Sequence, residues 1–134
     1  MQRLLVDTSA LVALGDRGEG RHRNASRCLR QIRGTRLFLT DYVLDETLTL
    51  LRLRAGPRPT DALMREVREA RTFELVFVDP KLFWKALDRF EKFADQTVSF
   101  TDCTSFVVME HFKLDAAFSF DDDFRRAGFR VIPE

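Results

Sequence analysis

Four short apolar runs divide the chain: residues 3–6, Leu37-Phe38-Leu39, Leu75-Val76-Phe77-Val78 and residues 116–119. Each is too short for an independent helix, and each is followed by a capping residue or turn and then a segment of helical character, so they read as short buried strands. Strands alternating with helices predict a parallel sheet covered on both faces. After the first run, Asp7-Thr8-Ser9 offers a turn and a cap for a helix beginning near Ala10, and the stretch from Gly15 to Gly20 breaks it. Ala25, Cys28, Leu29 and Ile32 then recur at helical spacing, with Arg23, Arg27 and Arg30 on another face, until Gly34. Thr40 caps a helix running to about Arg54. The Gly56-Pro57-Arg58-Pro59 stretch is a break, followed by an amphipathic segment from Thr60 to about Arg71. Asp79-Pro80 pairs an N-cap with proline at the first helical position and opens a helix to about Phe93. Asp102 begins a helix through about Phe112, residues 124–127 form a short one closed by Gly128, and residues 129–132 form a last edge strand.

A chain of 134 residues fits one domain, 1–134, with enough material for a continuous core. Its 45% hydrophobic and 32% charged residues exclude disorder as the ground state. No apolar stretch is long enough to span a bilayer, and Met1 leads into the first strand without a signal-like segment, so a cytoplasmic location is expected. The two cysteines, Cys28 and Cys103, are distant in sequence and lie in apolar helical stretches, which predicts buried free thiols. Between Arg17 and Arg36 seven arginines face one acid, a charge of +6; with a net charge of +1, the remainder carries −5. A basic segment beside an acidic remainder suits a protein that grips phosphates next to a metal centre. The fork-shaped arginine side chain favours such contacts, which makes Arg23, Arg27 and Arg30 the candidates for phosphate binding.

Four acids stand where the local pattern changes. Asp7 follows the first strand, Glu46 lies inside an apolar helix, Asp102 opens a helix, and Asp121 follows the fourth strand. Each has an ordinary explanation on its own. Asp7 can cap the next helix, Glu46 can pair with a buried arginine, Asp102 can sit against the helix dipole, and the Asp121-Asp122-Asp123 run can be a solvated loop. Glu46 is the most informative, because Val43 at i−3 and Leu50 at i+4 put it on an apolar face, while Asp45 is expected to be solvated. Isolated burial of a carboxylate costs several kcal/mol, so acids gathered at the carboxyl end of one sheet point to a shared cation. Oxygen donors without paired His or Cys favour Mg²⁺ or Mn²⁺. Metal-assisted hydrolysis of a phosphodiester is the chemistry such a site supports best, and without metal the acids should show raised pKa values. His22 and His111 are read as ordinary surface side chains.

The segments Leu5-Val6-Asp7-Thr8-Ser9-Ala10-Leu11, Val43-Leu44-Asp45-Glu46, Phe100-Thr101-Asp102-Cys103-Thr104-Ser105-Phe106 and Phe118-Ser119-Phe120-Asp121-Asp122-Asp123-Phe124, with Gly128-Phe129 behind them, occur in that order. In this pattern the chain resembles PIN-domain ribonucleases, and among them the VapC-type toxins of bacterial and archaeal toxin–antitoxin pairs, over nearly its whole length. The resemblance implies a three-layer α/β/α sandwich with a central, mainly parallel sheet. It also implies catalytic metal ligands at Asp7, Glu46, Asp102 and Asp121, with Asp123 matching an acid that some members add, and supporting hydroxyls at Ser9 and Thr101. It further implies Mg²⁺- or Mn²⁺-dependent cleavage of single-stranded RNA, homodimerisation and a small antitoxin as partner. Cys103 departs from the small alanine common at its position.

The reading that follows is a metal-dependent endoribonuclease. Two rivals are an inactive PIN-like module that binds RNA or a partner, and a phosphoacceptor receiver domain. A receiver would need adjacent acids after the first strand and a lysine at a late strand end. Here no acidic pair follows that strand, and Lys113 precedes the fourth.

Overall fold

In the computed structural model, which describes residues 2–94 and 97–134, five strands form one sheet: β1 (Leu4–Val6), β2 (Leu37–Thr40), β3 (Phe73–Val76), β4 (Ala116–Phe118) and β5 (Val131–Ile132). Their order across the sheet is β3-β2-β1-β4-β5, and every pairing is parallel. Met1, Asp95 and Gln96 lie outside the described residues. Seven helices flank the sheet among the described residues: α1 (Thr8–Gly15), α2 (His22–Gln31), α3 (Asp41–Ala55), α4 (Pro57–Glu69), α5 (Pro80–Lys92), α6 (Phe100–Phe112) and α7 (Asp123–Arg126).

Strand alternation divides the core in two. Leu4, Val6, Leu37, Leu39, Ala116 and Phe118 point to the side covered by α1–α4, where they meet Leu11, Ala25, Cys28 and Val43. Leu5, Phe38, Ala117 and Val131 point to the opposite side and meet Leu82, Phe106, Val107 and Phe124 of α5–α7. This is the three-layer α/β/α arrangement expected from the alternation of short apolar runs with helices.

Several boundaries differ from the sequence reading, each for a local reason. Helix α1 starts at Thr8, because Asp7 is itself the N-cap, and it continues through Gly15; the break falls after that glycine. A Cβ built on Gly15 would lie 2.9 Å from both terminal methyls of the buried Leu51, so glycine there allows α1 and α3 to approach closely. Helix α4 begins at Pro57, directly after Gly56 with φ +83°. Prolines in the first helical turn sacrifice no intrahelical hydrogen bond, so the expected break narrows to one glycine. Strand β3 lies two residues earlier than the apolar run suggested, because its register pairs Phe73 with Leu37 and Val76 with Thr40. Phe77 is left exposed beyond its end.

Both cysteines are buried and unpaired. No helix among the described residues is long and apolar enough to cross a membrane.

Candidate metal centre

Strand order reverses between β1 and β4. β1 continues outward to β2 on one side and β4 on the other, so the helices after these strands diverge and open a crevice beyond their carboxyl ends. Asp7 follows β1 directly and Asp121 follows β4 after two residues. Glu46 enters from α3, which follows the adjacent β2, and Asp102 enters from the first turn of α6. All four line one cleft of about 330 Å³, together with Thr8, Ser9, Glu19, Arg21, Leu50, Arg54 and Ser99. Carboxylate oxygens of Asp102, Asp121 and Asp123 lie within 4.8 Å of one another.

Asp7 is almost fully buried and firmly held. The hydroxyls of Ser9 and Ser119 each donate to its Oδ2 at 2.9 Å, and the Ser9 amide donates to the same oxygen at 3.4 Å. Both serines have a second duty: Ser9 Oγ accepts from the Phe120 amide at 2.9 Å, and Ser119 Oγ accepts from the Asp121 amide at 3.0 Å. The β1 and β4 ends are thereby tied together around Asp7, and the loop that carries Asp121 is fixed relative to it. Asp121 Oδ1 in turn accepts from the Asp123 amide at 2.9 Å.

Asp102 occupies the third position of α6. Ser99 Oγ accepts from the Asp102 amide at 2.9 Å, and the Asp102 carboxylate accepts from the Ser99 amide at 3.3 Å, a reciprocal capping box. Helix α6 thus starts at Phe100 rather than at Asp102. The hydrogen-bonding partner of Asp102 is Ser99, whereas Thr101 contributes its carbonyl to the hydroxyl of Thr104 at 2.6 Å.

Glu46 is half-buried and faces the cleft rather than the core. The buried stripe of α3 is Val43, Thr47 and Leu51, and Glu46, Leu50 and Arg54 form the adjacent stripe that lines the cleft. Asp45 is exposed, as expected; in the acidic run Asp122 is exposed and Asp123 is buried.

The electrostatics of the cluster are unfavourable without a cation. Burial pushes the Asp102 carboxyl up to about 7, with added repulsion from Asp7, Asp121 and Asp123 and partial relief from the Ser99 amide. Asp7 is raised chiefly by burial, and its serine hydrogen bonds only partly oppose this. Asp123 is raised by burial and by Asp121, against the pull of Arg126 at 3.1 Å. Of these five acids, Asp123 is the one with an ion-pair partner among the described residues. A set of oxygen donors that are buried, close together and short of positive charge fits a divalent cation of the hard, oxygen-seeking kind.

The basic segment is arranged differently from the sequence expectation. Arg23, Arg27 and Arg30 are exposed on α2, and the structure does not bring them to the acidic cleft; Arg30 borders a separate depression with Arg33 and Arg71. Arg21, one residue before α2, lines the acidic cleft, and so does Arg54. Arg54 was within reach of the sequence, since it continues the Glu46–Leu50 spacing by one more turn. Ser99 was readable as the start of a capping box. Nothing local distinguishes Ser119 or Glu19. His22 donates from Nδ1 to the Ala13 carbonyl at 2.7 Å, which docks α2 onto the end of α1.

The PIN domain family model matches residues 4–130. This chain belongs to the PIN-domain family. Among known proteins, this PIN domain is 36% identical over 132 residues to the 23S rRNA-specific endonuclease VapC20 of Mycobacterium tuberculosis, an alignment that spans 98% of this chain and 99% of the relative. It is also 36% identical over 80 residues to a VapC ribonuclease of Archaeoglobus fulgidus, covering 59% of this chain and 50% of that protein. The crystal structure of M. tuberculosis VapC20, described as a sarcin–ricin loop cleaving toxin, superposes with a TM-score of 0.85 at 34% identity, over 94% of this chain and 95% of that one. PIN nucleases use divalent metals, in keeping with the acidic cluster at the switch point.

Proposed function

We propose that this PIN domain, acting as one domain of residues 1–134, is a metal-dependent endoribonuclease and the toxin of a toxin–antitoxin pair. The observation that carries the reading is the meeting of Asp7, Glu46, Asp102 and Asp121 in one cleft at the strand-order reversal, with Asp123 alongside. These five residues would hold Mg²⁺ or Mn²⁺. A divalent ion held by these residues would supply Lewis-acid chemistry, lowering the pKa of a water and offsetting charge on the phosphate oxygens.

The remaining work belongs to the chain. Ser9 and Ser119 keep the Asp7 carboxylate in one orientation, and the Ser99 cap does the same for Asp102, as outer hydrogen bonds do around metal ligands generally. Thr101 stands beside Asp102 and is a weaker candidate for such support, since its hydrogen bond runs along the helix. The half-buried Glu46 brings a carboxylate to the cleft from α3.

RNA is the substrate and a small antitoxin the regulating partner, by similarity to the VapC relatives. A second copy of the chain is the other expected partner. Leu53, Phe77 and Trp84 are large apolar side chains left 79%, 68% and 61% exposed and so available to such a contact. Such a toxin acts in the cytoplasm, where ribosomal RNA lies.

The test is incubation of the purified chain with end-labelled RNAs, including a sarcin–ricin loop hairpin, in Mg²⁺, Mn²⁺ or EDTA. Endonucleolytic cuts that require the metal are expected. Cleavage that persists undiminished in EDTA would refute the reading.

A further inference from the structure

Two clefts adjoin at the acidic end of the sheet. The inner one holds Asp7, Glu46 and Asp102, and the outer one is lined by Phe120, Asp121, Asp122, Asp123 and Arg126. They share Ser9, Arg21, Thr97 and Asp121, so they form one continuous path over the candidate metal centre. Each stretch of that path carries an arginine: Arg54 belongs to the inner cleft, Arg126 to the outer, and Arg21 to both.

Arg21 is the most constrained of the three. Its Nε donates to Glu19 Oε1 at 3.3 Å, its Nη1 donates to the Phe120 carbonyl at 3.4 Å, and its guanidinium carbon lies 5.2 Å from the centre of the Phe120 ring. Nη2 has no hydrogen-bond partner among the described residues. A guanidinium fixed on one edge and stacked on an aromatic ring gives up less side-chain freedom on meeting a phosphate, which favours binding. Glu19 is then a positioning residue. Its Oε1 accepts from both the backbone amide and Nε of Arg21, each at 3.3 Å, while its second oxygen is buried without a partner among the described residues.

We propose that Arg54, Arg21 and Arg126 are the phosphate-binding residues of an RNA path running through the two joined clefts, with Arg21 at its centre, and that the Arg23–Arg27–Arg30 face takes no part in it. This rests on the nuclease reading for the identity of the ligand. Positive side chains on both sides of the acidic centre would hold phosphates flanking the one to be cut, and would offset the repulsion between a polyanion and a carboxylate-lined cleft.

The test measures binding apart from cleavage. In an Asp102→Asn background with Mg²⁺, the affinity of a short fluorescent single-stranded RNA is followed by anisotropy over a range of salt concentrations. Arg21→Ala, Arg54→Ala and Arg126→Ala are each expected to weaken binding about tenfold and to reduce the slope of log K against log salt by about 0.7, the value for one single-strand phosphate contact. Arg21→Lys should keep the slope and lose part of the affinity, because it retains charge without the fork; it also serves if the alanine variant fails to fold. The combined Arg23, Arg27 and Arg30 alanine variant should bind as its parent does. The proposal is overturned if the combined variant loses slope while the three cleft variants keep it, or if the parent binds no RNA. Salt-dependent binding through the cleft arginines by a protein that never cuts RNA would defeat the nuclease reading alone. Cleavage by the chain with Asp102 intact that is unaffected by all three substitutions, with unchanged salt slopes in the Asp102→Asn background, would defeat only the arginine path.

Discussion

Removing the charge of Asp102 should stabilise the metal-free protein, and by an amount that depends on pH. The Asp102 carboxyl is raised from 3.8 to about 7 in the folded chain, so between those values the folded state holds a proton that the unfolded state has released. Stability from this proton is fully present below about pH 4 and is lost as pH rises through 7. A displacement of about three pH units corresponds to roughly 4 kcal/mol over the whole window, of which roughly 3 kcal/mol is lost between pH 5 and pH 8. The residue is only 7% exposed, so solvent screens little of this. Asparagine preserves the shape and can still accept from the Ser99 amide, which keeps the capping box largely intact. Urea unfolding in EDTA at pH 5, 6, 7 and 8 should therefore show the parent losing stability with pH and Asp102→Asn losing markedly less, with the two curves separating between pH 5 and about pH 7 and running nearly parallel above it. Added Mg²⁺ or Mn²⁺ should reverse the order at pH 8, because the metal stabilises the folded state in proportion to its affinity and requires the ionised carboxylate. Parallel curves for the two proteins in EDTA would refute the account of the cluster as a set of buried, mutually repelling carboxylates.

Ser119→Ala removes a hydroxyl that donates to Asp7 and accepts from the Asp121 amide, and Mn²⁺ affinity by titration calorimetry should fall by about 10- to 100-fold with the fold retained. Gly15→Ala should destabilise the chain by about 1–3 kcal/mol in urea unfolding, since the added methyl meets the terminal methyls of Leu51 and forces that side chain to shift; combining it with Leu51→Val should recover part of the loss. Burial raises the Cys28 thiol, and burial together with Asp102 pushes Cys103 up to about 11, so both should resist alkylation at neutral pH until the protein is unfolded.

Much of the architecture was legible because it depends on patterns that local physics enforces. Leu4-Leu5-Val6 and Leu37-Phe38-Leu39 are apolar on both faces, which suits only a strand enclosed by two helical layers, and Thr40 and Asp79 cap the helices they were expected to cap. The acids were legible as a group because carboxylates after buried strands and beside a core stripe are costly without a purpose. What the sequence obscured were quantities decided by tertiary contacts. Strand β3 takes its register from β2, so the apolar Phe77 and Val78 fall outside it. The arginine segment pointed to phosphate binding, but α2 docks through Ala25 and Cys28 and turns Arg23, Arg27 and Arg30 to solvent. Arg21 reaches the cleft because it precedes that helix. Ser119 gained its role only when β1 and β4, far apart in sequence, became neighbours.

The central claim is that the carboxylates at the end of β1 and the start of α6 form the divalent-metal centre that cuts RNA. Its most direct test is the rate of Mg²⁺-dependent RNA cleavage by the parent chain and by Asp7→Asn and Asp102→Asn, each first shown to be folded. Loss of cleavage by at least about a hundredfold in both variants is expected. Cleavage by both at the parent's rate, with the same dependence on Mg²⁺, would contradict the claim.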